Sequence, residues 1–286
     1  MSRGDDRRAT IRRVANVTSD ARRQFLVTCG LLLAGGTRIA RIGALSAQRA
    51  QSSPPPNASL IADLVAANRI LAAENVLDGM GHVSVRDPQH ADRFFLARSI
   101  APAQVTADDI MAYDLDANAI DARGRASYRE RFIHSEIYRA RADVNAVVHC
   151  HTPSLIPFAD TDVPLRAMYH MAAFVAEGVP VFDIRKAAGM TDLLVGDAKL
   201  GRALAQTLAA KHAALMRHHG AVVVAGSLPT VVGRSVYLDV NARAQIQAAT
   251  LGGNISYIDP AEARLRLADP NEYGRAWDLW KAKLAR

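Results

Sequence analysis

The chain has 286 residues, a formal net charge of +7, 50% apolar residues and two cysteines, which suits one globular domain with or without a tail. Residues 1–50 hold ten arginines against three aspartates, and the rest of the chain holds 25 basic against 25 acidic side chains. The excess charge therefore belongs to the N-terminal segment. The composition gives no support to a basic nucleic-acid groove in the folded part, and two cysteines are too few for a disulfide framework or a cysteine-rich zinc module.

The N-terminal segment 1–50 has the order of a protein-export signal. The pair Arg22-Arg23 precedes Phe25 and Leu26, and a short apolar stretch follows. A charged region before an apolar one, with twin arginines at the junction, is typical of a twin-arginine export signal. The alternative is a disordered basic extension, because arginine pairs are common.

This signal predicts where the protein works. The apolar run 25–36 is too short to span a bilayer, so no membrane span is expected. We predict export to the periplasm, with the mature chain beginning near residues 47–51. Without export, the protein is expected to be cytoplasmic.

The remainder of the chain predicts a linker and one domain. Residues 51–58, rich in Ser and Pro, predict a stiff linker, and the domain is predicted over 59–286. Apolar residues at spacings of three and four predict four helices, and short β-like runs predict six strands. The alternation favours a layered α/β domain whose sheet is not purely parallel. The predicted helices are 59–75, 130–141, 198–210 and 229–251, and the predicted strands are 83–85, 94–96, 110–113, 145–149, 213–216 and 221–224.

Three histidines lie where strands are predicted to end. His149 and His151 flank Cys150, and the strand period of two puts both imidazoles on one face while the cysteine points away. His219 lies at another strand end, next to Gly220. Three imidazoles without a fourth protein ligand are typical of a catalytic metal site, whose open position takes water or substrate. Taken alone, the pattern also fits hydrogen-bonded strand histidines.

Four motifs in this order resemble the class II aldolase and adducin family over about residues 59–260. They are Gly81-His82-Val83-Ser84-Val85-Arg86, Glu130 followed by His134, Val147-Val148-His149-Cys150-His151-Thr152-Pro153, and His218-His219-Gly220.

This resemblance implies a fold and a site. The implied fold is a three-layer αβα domain with a mixed, largely antiparallel central sheet. The implied site holds one divalent metal ion on His149, His151 and His219, with zinc first and manganese or iron as alternatives. Glu130 would be the catalytic acid/base and would need a raised pKa to act as an acid near neutrality. His218 is expected to be structural for a separate reason, since the neighbour of His219 on a strand faces the other way.

The chain departs from the family's sugar-phosphate aldolases in three parts of their phosphate pocket. His82 replaces an asparagine, residues 97–102 replace a small-residue loop, and Tyr128 and Arg129 replace two serines. Arg129 offers a planar fork of donors that suits a carboxylate, and Tyr128 can stack on a ring. We therefore expect a carboxylic acid rather than a sugar phosphate as the substrate. The expected substrate-binding residues are His82, Ser84, Tyr128 and Arg129.

The C-terminal part resembles one branch of the family. Residues 215–221 and the helix after them look closest to its aromatic and pyridine hydroxy-acid decarboxylases. His170 falls where the aldolases have a catalytic tyrosine, so an imidazole is expected as the second proton-transfer group, with core packing as the alternative. We expect a metal-dependent carbon–carbon lyase acting on a hydroxy- or oxo-carboxylate, by decarboxylation or aldol cleavage.

Other functions stay open at this point. A sugar-phosphate aldolase or epimerase and a non-haem iron oxygenase could use the same residues. A non-catalytic adducin-like binding module would be expected to lose the ligands, and this chain keeps all three histidines and Glu130. Because family members assemble as tetramers with sites at subunit interfaces, we expect a homo-oligomer that binds a small-molecule carboxylate and no nucleic acid.

Overall fold

A computed structural model describes residues 57–269 and 271–284 of the chain. The predicted export signal and most of the predicted linker lie outside the described residues. Helices on both faces of one sheet make up the described part. None of these helices is long and apolar enough to cross a membrane.

The sheet is mixed and largely antiparallel, as predicted. Its strands are β1 (His82–Arg86), β2 (Arg93–Ala97), β3 (Ile110–Asp114), β4 (Ala146–Cys150), β5 (Val181–Phe182), β6 (Ala213–Met216) and β7 (Gly220–Ala225). They lie in the order β3-β2-β1-β4-β7-β6-β5. Only β5 and β6 pair parallel, and the other neighbours pair antiparallel. All six predicted strands are present, and the sequence did not reveal β5 because two residues show no period.

The helices form two layers. They are α1 (Ala58–Ala73), α2 (Arg131–Ala140), α3 (Ile156–Asp160), α4 (Ile184–Ala188), α5 (Ala198–Leu208), α6 (Leu228–Leu251), α7 (Pro260–Arg266) and α8 (Gly274–Leu284). On one side of the sheet α2 packs against α5, and on the other α1 packs against α6 and α8. The three-layer prediction is confirmed. The four predicted helices correspond to α1, α2, α5 and α6, whereas α3, α4, α7 and α8 were not predicted.

Local signals set the ends of the longer helices. The Asp197 side chain accepts a hydrogen bond from the N–H of Leu200 at 2.9 Å and caps α5. In α6 the Ser227 hydroxyl accepts from the N–H of Thr230 at 3.3 Å. Such caps satisfy N–H groups that have no partner within the helix. The chain leaves α6 at Gly252, whose φ of 75° is readily adopted only by glycine.

The central strand β4 is buried along its whole length, and its residues are at most 1% exposed. His149 lies opposite His82 of β1 and Val222 of β7. Successive side chains alternate between the faces, so Val147 and His149 face α2 while Cys150 faces the α6 side. An imidazole at the centre of a sheet is costly unless its nitrogens have partners. Both nitrogens of His149 are therefore expected to have partners nearby.

Gly220 allows β7 to begin directly beside the end of β4. A Cβ atom at this position would overlap the carbonyl oxygen of Cys150, so only glycine permits the approach. The turn before it places His218 in the left-handed region, with φ of 56°. The two strand ends thereby bring His219 next to His149 and His151.

Candidate metal centre and active site

Three imidazoles converge at the ends of the central strands. His149 lies in β4, His151 follows the end of β4, and His219 precedes β7. The Nε2 atom of His151 lies 3.0 Å from Nε2 of His149 and 3.1 Å from Nε2 of His219. The predicted common face of His149 and His151 is confirmed, and the β6–β7 turn supplies the third ring.

Backbone carbonyls fix the tautomers of two of these rings. Nδ1 of His149 lies 3.1 Å from the carbonyl oxygen of Ala221, and Nδ1 of His219 lies 2.9 Å from that of Leu193. A carbonyl oxygen only accepts, so each Nδ1 carries the hydrogen and each neutral ring presents a lone pair on Nε2. This is the usual support for a metal-binding histidine.

The Nε2 atoms fit a metal ion better than they fit one another. Nε2 of His149 and Nε2 of His219 present lone pairs to Nε2 of His151 at 3.0 and 3.1 Å. A hydrogen on Nε2 of His151 could point at only one of the two lone pairs, whereas a cation between the rings would bind all three nitrogens. A tetrahedral zinc ion with Zn–N bonds of about 2.0–2.1 Å would hold its nitrogen ligands about 3.3 Å apart. The spacing in the structure is close to that value, so the donor set is suited to one divalent ion.

The pKa values of His151 and His219 shift in opposite directions although the rings are neighbours. Burial lowers the pKa of His151 to about 4, and His149 and His219 act in the same direction. The carboxylate of Asp78, whose Oδ1 lies 3.7 Å from Nδ1 of His151, opposes this change. Burial also lowers the pKa of His219, but Glu130 outweighs it and the net pKa is raised.

Glu130 completes the group with a carboxylate. It immediately precedes α2 and is 8% exposed. Its Oε2 atom lies 3.5 Å from Nε2 of His149 and 3.4 Å from Nε2 of His219. One ligand atom from each of the four residues lies within 4.8 Å of the others. We call Glu130, His149, His151 and His219 the metal group. The sequence pattern indicated no fourth protein ligand, and the structure adds Glu130 as a candidate.

The expectation of a raised pKa for Glu130 is wrong for this structure. Burial acts to raise the pKa, but the neighbouring imidazoles of His149 and His219 outweigh burial and the net pKa is lowered. Glu130 is therefore present as a carboxylate that can receive a proton.

The segment 192–196 holds Glu130 and His219 together through its backbone. The N–H of Val195 donates to Oε1 of Glu130 at 2.8 Å, and the Leu193 carbonyl accepts from His219. Leu193 has a φ of 68°, in the left-handed region that leucine rarely adopts. Two polar backbone atoms of one short segment thus fix two members of the metal group.

Arg129 lies at the outer edge of this segment. Its guanidinium forms an ion pair of 2.6 Å with Asp192, and both side chains are more than half exposed. The structure therefore places Arg129 against a carboxylate of its own chain. The predicted contact with a substrate carboxylate would have to replace that pair.

His82 and Ser84 lie behind the metal group in β1. His82 is 2% exposed, its Nδ1 lies 2.7 Å from Nε2 of His134, and its ring centroid lies 5.1 Å from that of His149. Ser84 has no exposed surface, and its oxygen lies 2.6 Å from Nδ1 of His134 and 2.8 Å from the Tyr138 hydroxyl. The expectation that Ser84 contacts substrate is corrected, because its hydroxyl holds His134 in the interior.

Tyr128 forms part of the wall beside His82. Its ring centroid lies 4.6 Å from that of His82, with 39° between the ring planes. Its hydroxyl donates to the carbonyl oxygen of Ile100, so the ring is fixed in place. The structure thus places Tyr128 and His82, two of the residues expected to bind substrate, side by side.

His170 is not brought to this group within one chain. It is exposed, and its ring stacks edge-on against Tyr169, with centroids 4.8 Å apart. Among the described residues, no hydrogen bond, ion pair or ring contact joins it to the metal group. Core packing of His170 is also wrong, because the ring lies at the surface. His218, by contrast, bonds to Asp160 at 2.8 Å in its turn, which suits the structural role expected for it.

Sequence reasoning missed the supporting residues of the site. Glu130, His134 and Tyr138 recur every four residues, which predicts one face of α2. His82 and Ser84 alternate on β1 and share a face by the strand period. These two periods together could have revealed the contact between α2 and β1. The backbone groups of the segment 192–196 leave no such signal, since almost every residue carries them.

Comparison with known proteins agrees with this geometry. The chain matches the family described as Class II Aldolase and Adducin N-terminal domain over residues 62–246. A decarboxylase of Talaromyces stipitatus, tropJ, is 34% identical over 235 residues, which cover 74% of this chain and 88% of the relative. A 3,4-dihydroxyphthalate decarboxylase of Arthrobacter keyseri is 28% identical over 251 residues, 82% of this chain and 96% of the relative.

Another relative carries a different activity in its name. A 4-hydroxy-3-prenylphenylpyruvate oxygenase/4-hydroxy-3-prenylbenzoate synthase of Streptomyces roseochromogenus is 31% identical over 217 residues, 73% of this chain and 76% of the relative. Among solved structures, an aldolase II superfamily protein from Pseudomonas syringae superposes with a TM-score of 0.68 at 22% identity, covering 82% of this chain and 94% of that one. The last likeness shows the fold alone.

These matches establish the family. The chain belongs to the class II aldolase and adducin family, with the three-layer fold of that family and a possible metal-binding group of three histidines and one glutamate. Named decarboxylases are among its relatives, and with the family match they identify the chain as an enzyme of the lyase type.

Proposed function

We propose that this chain is a divalent-metal-dependent decarboxylase of a hydroxylated aromatic carboxylate. The convergence of three Nε2 atoms and one carboxylate oxygen on a single point supports the metal dependence. The two decarboxylase relatives, one of them named for a dihydroxyphthalate, support the reaction. Three parts of the phosphate pocket of the sugar-phosphate aldolases are replaced in this chain, which supports a carboxylate substrate over a sugar phosphate.

The metal would be held by His149, His151 and His219 through Nε2, with Glu130 beside them. Imidazole nitrogens suit zinc and iron, and a carboxylate also suits manganese; we place zinc first. When bound, the ion supplies Lewis-acid chemistry, because it withdraws electron density from chelating substrate oxygens and stabilises the negative charge left by carbon–carbon cleavage.

Glu130 transfers the proton in the proposed reaction. Its Oε1 atom is fixed by the N–H of Val195, and its Oε2 atom faces the imidazoles. As a carboxylate, Glu130 takes the proton of the substrate hydroxyl. The carboxyl group then leaves as carbon dioxide, the electron pair of the broken bond stays on the ring carbon, and Glu130 returns the proton to that carbon. The hydroxyl oxygen recovers a proton from water, so one proton is consumed for each carbon dioxide released.

The remaining predicted site residues would bind substrate around this centre. Arg129 would exchange its ion pair with Asp192 for the substrate carboxylate, and Tyr128 would flank the aromatic ring. We also propose a homotetramer, in which the exposed His170 could act as the second proton-transfer group at a site shared between chains. Light scattering of the full chain tests the assembly, with an expected mass about four times 30.8 kDa. A monomeric mass would contradict it.

Metal analysis and product analysis together test the function. The full chain is compared with His149→Ala and with His90→Ala, a matched control whose exposed ring pairs with Asp87 outside the metal group. We expect about one ion per chain in the wild type and the control and loss of the ion in His149→Ala. Carbon dioxide release from 3,4-dihydroxyphthalate and related hydroxybenzoates is then scored. No bound metal after reconstitution, or bound metal without carbon dioxide from any acid of the panel, would refute the proposal.

The oxygenase named among the relatives supports a second candidate. A non-haem iron oxygenase would use the same histidines and carboxylate, which are ligands suited to iron. Oxygen uptake separates the two functions: a decarboxylase releases carbon dioxide at the same rate without oxygen, whereas an iron oxygenase stops when oxygen is removed.

A further inference from the structure

Four buried side chains behind the metal group form one continuous hydrogen-bonded chain. The Tyr138 hydroxyl lies 2.8 Å from the Ser84 oxygen, which lies 2.6 Å from Nδ1 of His134. Nε2 of His134 lies 2.7 Å from Nδ1 of His82. All four side chains are at most 2% exposed. We call Tyr138, Ser84, His134 and His82 the relay chain.

The direction of these hydrogen bonds follows from the Tyr138 end. Among the described residues, the Ser84 oxygen is the acceptor within reach of the Tyr138 hydroxyl. A buried O–H without an acceptor is costlier than an acceptor with a free lone pair, so Tyr138 donates to Ser84. Burial raises the pKa of Tyr138, and the phenol therefore keeps the proton it donates.

The order then propagates to His82. Because Ser84 accepts from Tyr138, its own hydrogen goes to Nδ1 of His134. His134 is neutral, since burial lowers its pKa to about 3, and it must carry its single hydrogen on Nε2. That hydrogen is donated to Nδ1 of His82. His82 is left with its hydrogen on Nε2, the nitrogen that has no partner among the described residues.

The surroundings of His82 place this N–H in the wall of the active site. The ring of His82 lies between the ring of Tyr128, 4.6 Å away, and that of the metal-group residue His149, 5.1 Å away. With Nδ1 directed to His134, the unpartnered Nε2 lies on the opposite side of the ring. This N–H is therefore left as a hydrogen-bond donor for a bound ligand.

We propose that Tyr138, Ser84 and His134 are positioning residues that hold His82 in the Nε2–H tautomer, and that this N–H donates to an oxygen of the substrate. The oxygen is a carboxylate or phenolic oxygen, so its identity rests on the proposed function, whereas the order of hydrogens does not. An asparagine at this place, as in the sugar-phosphate aldolases, can turn its amide to donate or accept. The relay chain makes His82 a fixed donor instead.

The tautomer is tested directly by nitrogen-15 NMR of the full chain with labelled histidine. His82 is assigned from the signals that disappear in His82→Gln, and spectra are recorded with and without added zinc. We expect a protonated Nε2 and an unprotonated Nδ1 on His82 in the metal-free protein. A hydrogen on Nδ1 of His82 would overturn the proposal. This readout needs no activity, so it stands apart from failure of the proposed decarboxylation.

Ligand binding tests the rest of the relay chain. The probe is 3,4-dihydroxybenzoate, and its Kd is measured by calorimetry for the zinc-loaded wild type, Ser84→Ala and Tyr138→Phe. We expect about 3- to 10-fold weaker binding in both variants, the size of one hydrogen bond, with unchanged zinc content. Tyr113→Phe is the matched control, since its buried hydroxyl bonds to Ser127 outside the relay chain. Equal Kd values in the wild type and all three variants, or zinc loss in Ser84→Ala, would overturn the proposal.

Discussion

At the scale of single residues, the site depends on buried imidazoles whose two nitrogens have different tasks. His149 has no exposed surface, so each nitrogen needs a partner to offset the loss of water. A backbone carbonyl takes Nδ1–H, and Nε2 is left for a cation. His82 uses the opposite arrangement, with Nδ1 accepting and Nε2 donating. The partner of Nδ1 therefore decides whether Nε2 of each ring accepts or donates.

Replacing Glu130 by Gln tests the acid/base role at this scale. The amide keeps the shape of the side chain but cannot take or return a proton, so we expect kcat for decarboxylation to fall on the order of 10²- to 10⁴-fold. Bound metal should stay near the wild-type amount, because the three histidines remain. Kinetics and elemental analysis of the same preparation measure both.

A surface carboxylate serves as the control for this change. Glu177→Gln alters an exposed residue that pairs with Lys211 and Arg264, and we expect wild-type kinetics from it. Near wild-type kcat in Glu130→Gln would show that the carboxylate carries no proton in the reaction.

The residues of the site differ in how far the sequence reveals them. The shared face of His149 and His151 follows from the strand period, because they are two residues apart, whereas their role as ligands came from the family resemblance. His219 lies 68 residues beyond His151, and only the family resemblance linked it to them. Ser84 was expected to bind substrate because the periods of α2 and β1 were not combined, and only their combination indicates that α2 covers this face of β1. The backbone atoms of Leu193 and Val195 carry no residue-specific signal at all.

At the scale of elements, the metal group depends on how closely β7 approaches β4. Antiparallel pairing of these strands places Cys150 opposite Ala221. Cys150 directly follows His149, and Ala221 comes two residues after His219, so the pairing brings the two histidines together. Helix and strand boundaries followed from periodicity and caps, since these signals are local. The short helices α3 and α4 were not predicted, because five residues show too little of a helical period.

Replacing Gly220 by Ala tests this approach. The added methyl group would overlap the Cys150 carbonyl, and the strands would have to separate. We expect a loss of about 1–3 kcal/mol in the free energy of unfolding, the usual cost of overpacking, together with reduced metal occupancy because His219 moves away from His149. Urea unfolding and elemental analysis measure the two effects.

Gly226, directly after β7, provides the matched control. A Cβ atom there would lie 3.8 Å from the nearest heavy atom, the Asp143 carbonyl oxygen, which is an ordinary contact. Gly226→Ala should therefore change stability and metal occupancy little. Equal behaviour of the two variants would show that the close approach at Gly220 does not position the metal group.

At the scale of the whole molecule, charge and chemistry belong to different parts of the sequence. All of the net charge of +7 lies in residues 1–50, and the remainder is balanced with 25 basic and 25 acidic residues. A neutral enzyme domain does not require such an extension for its own chemistry. We propose that residues 1–50 are an address for twin-arginine export to the periplasm.

A reporter fusion tests this address with a control from the same segment. Residues 1–50 are fused to a reporter that is active only in the periplasm, and Arg22 and Arg23 are both changed to Lys. We expect export to be abolished, because a twin-arginine signal is read from this pair and the Phe25-Leu26 that follows. Arg12 and Arg13 form a second pair that Val14 and Ala15 follow. Changing this pair to Lys keeps the net charge in the same way and should leave export intact. Equal export from the two variants would contradict a twin-arginine signal at Arg22 and Arg23.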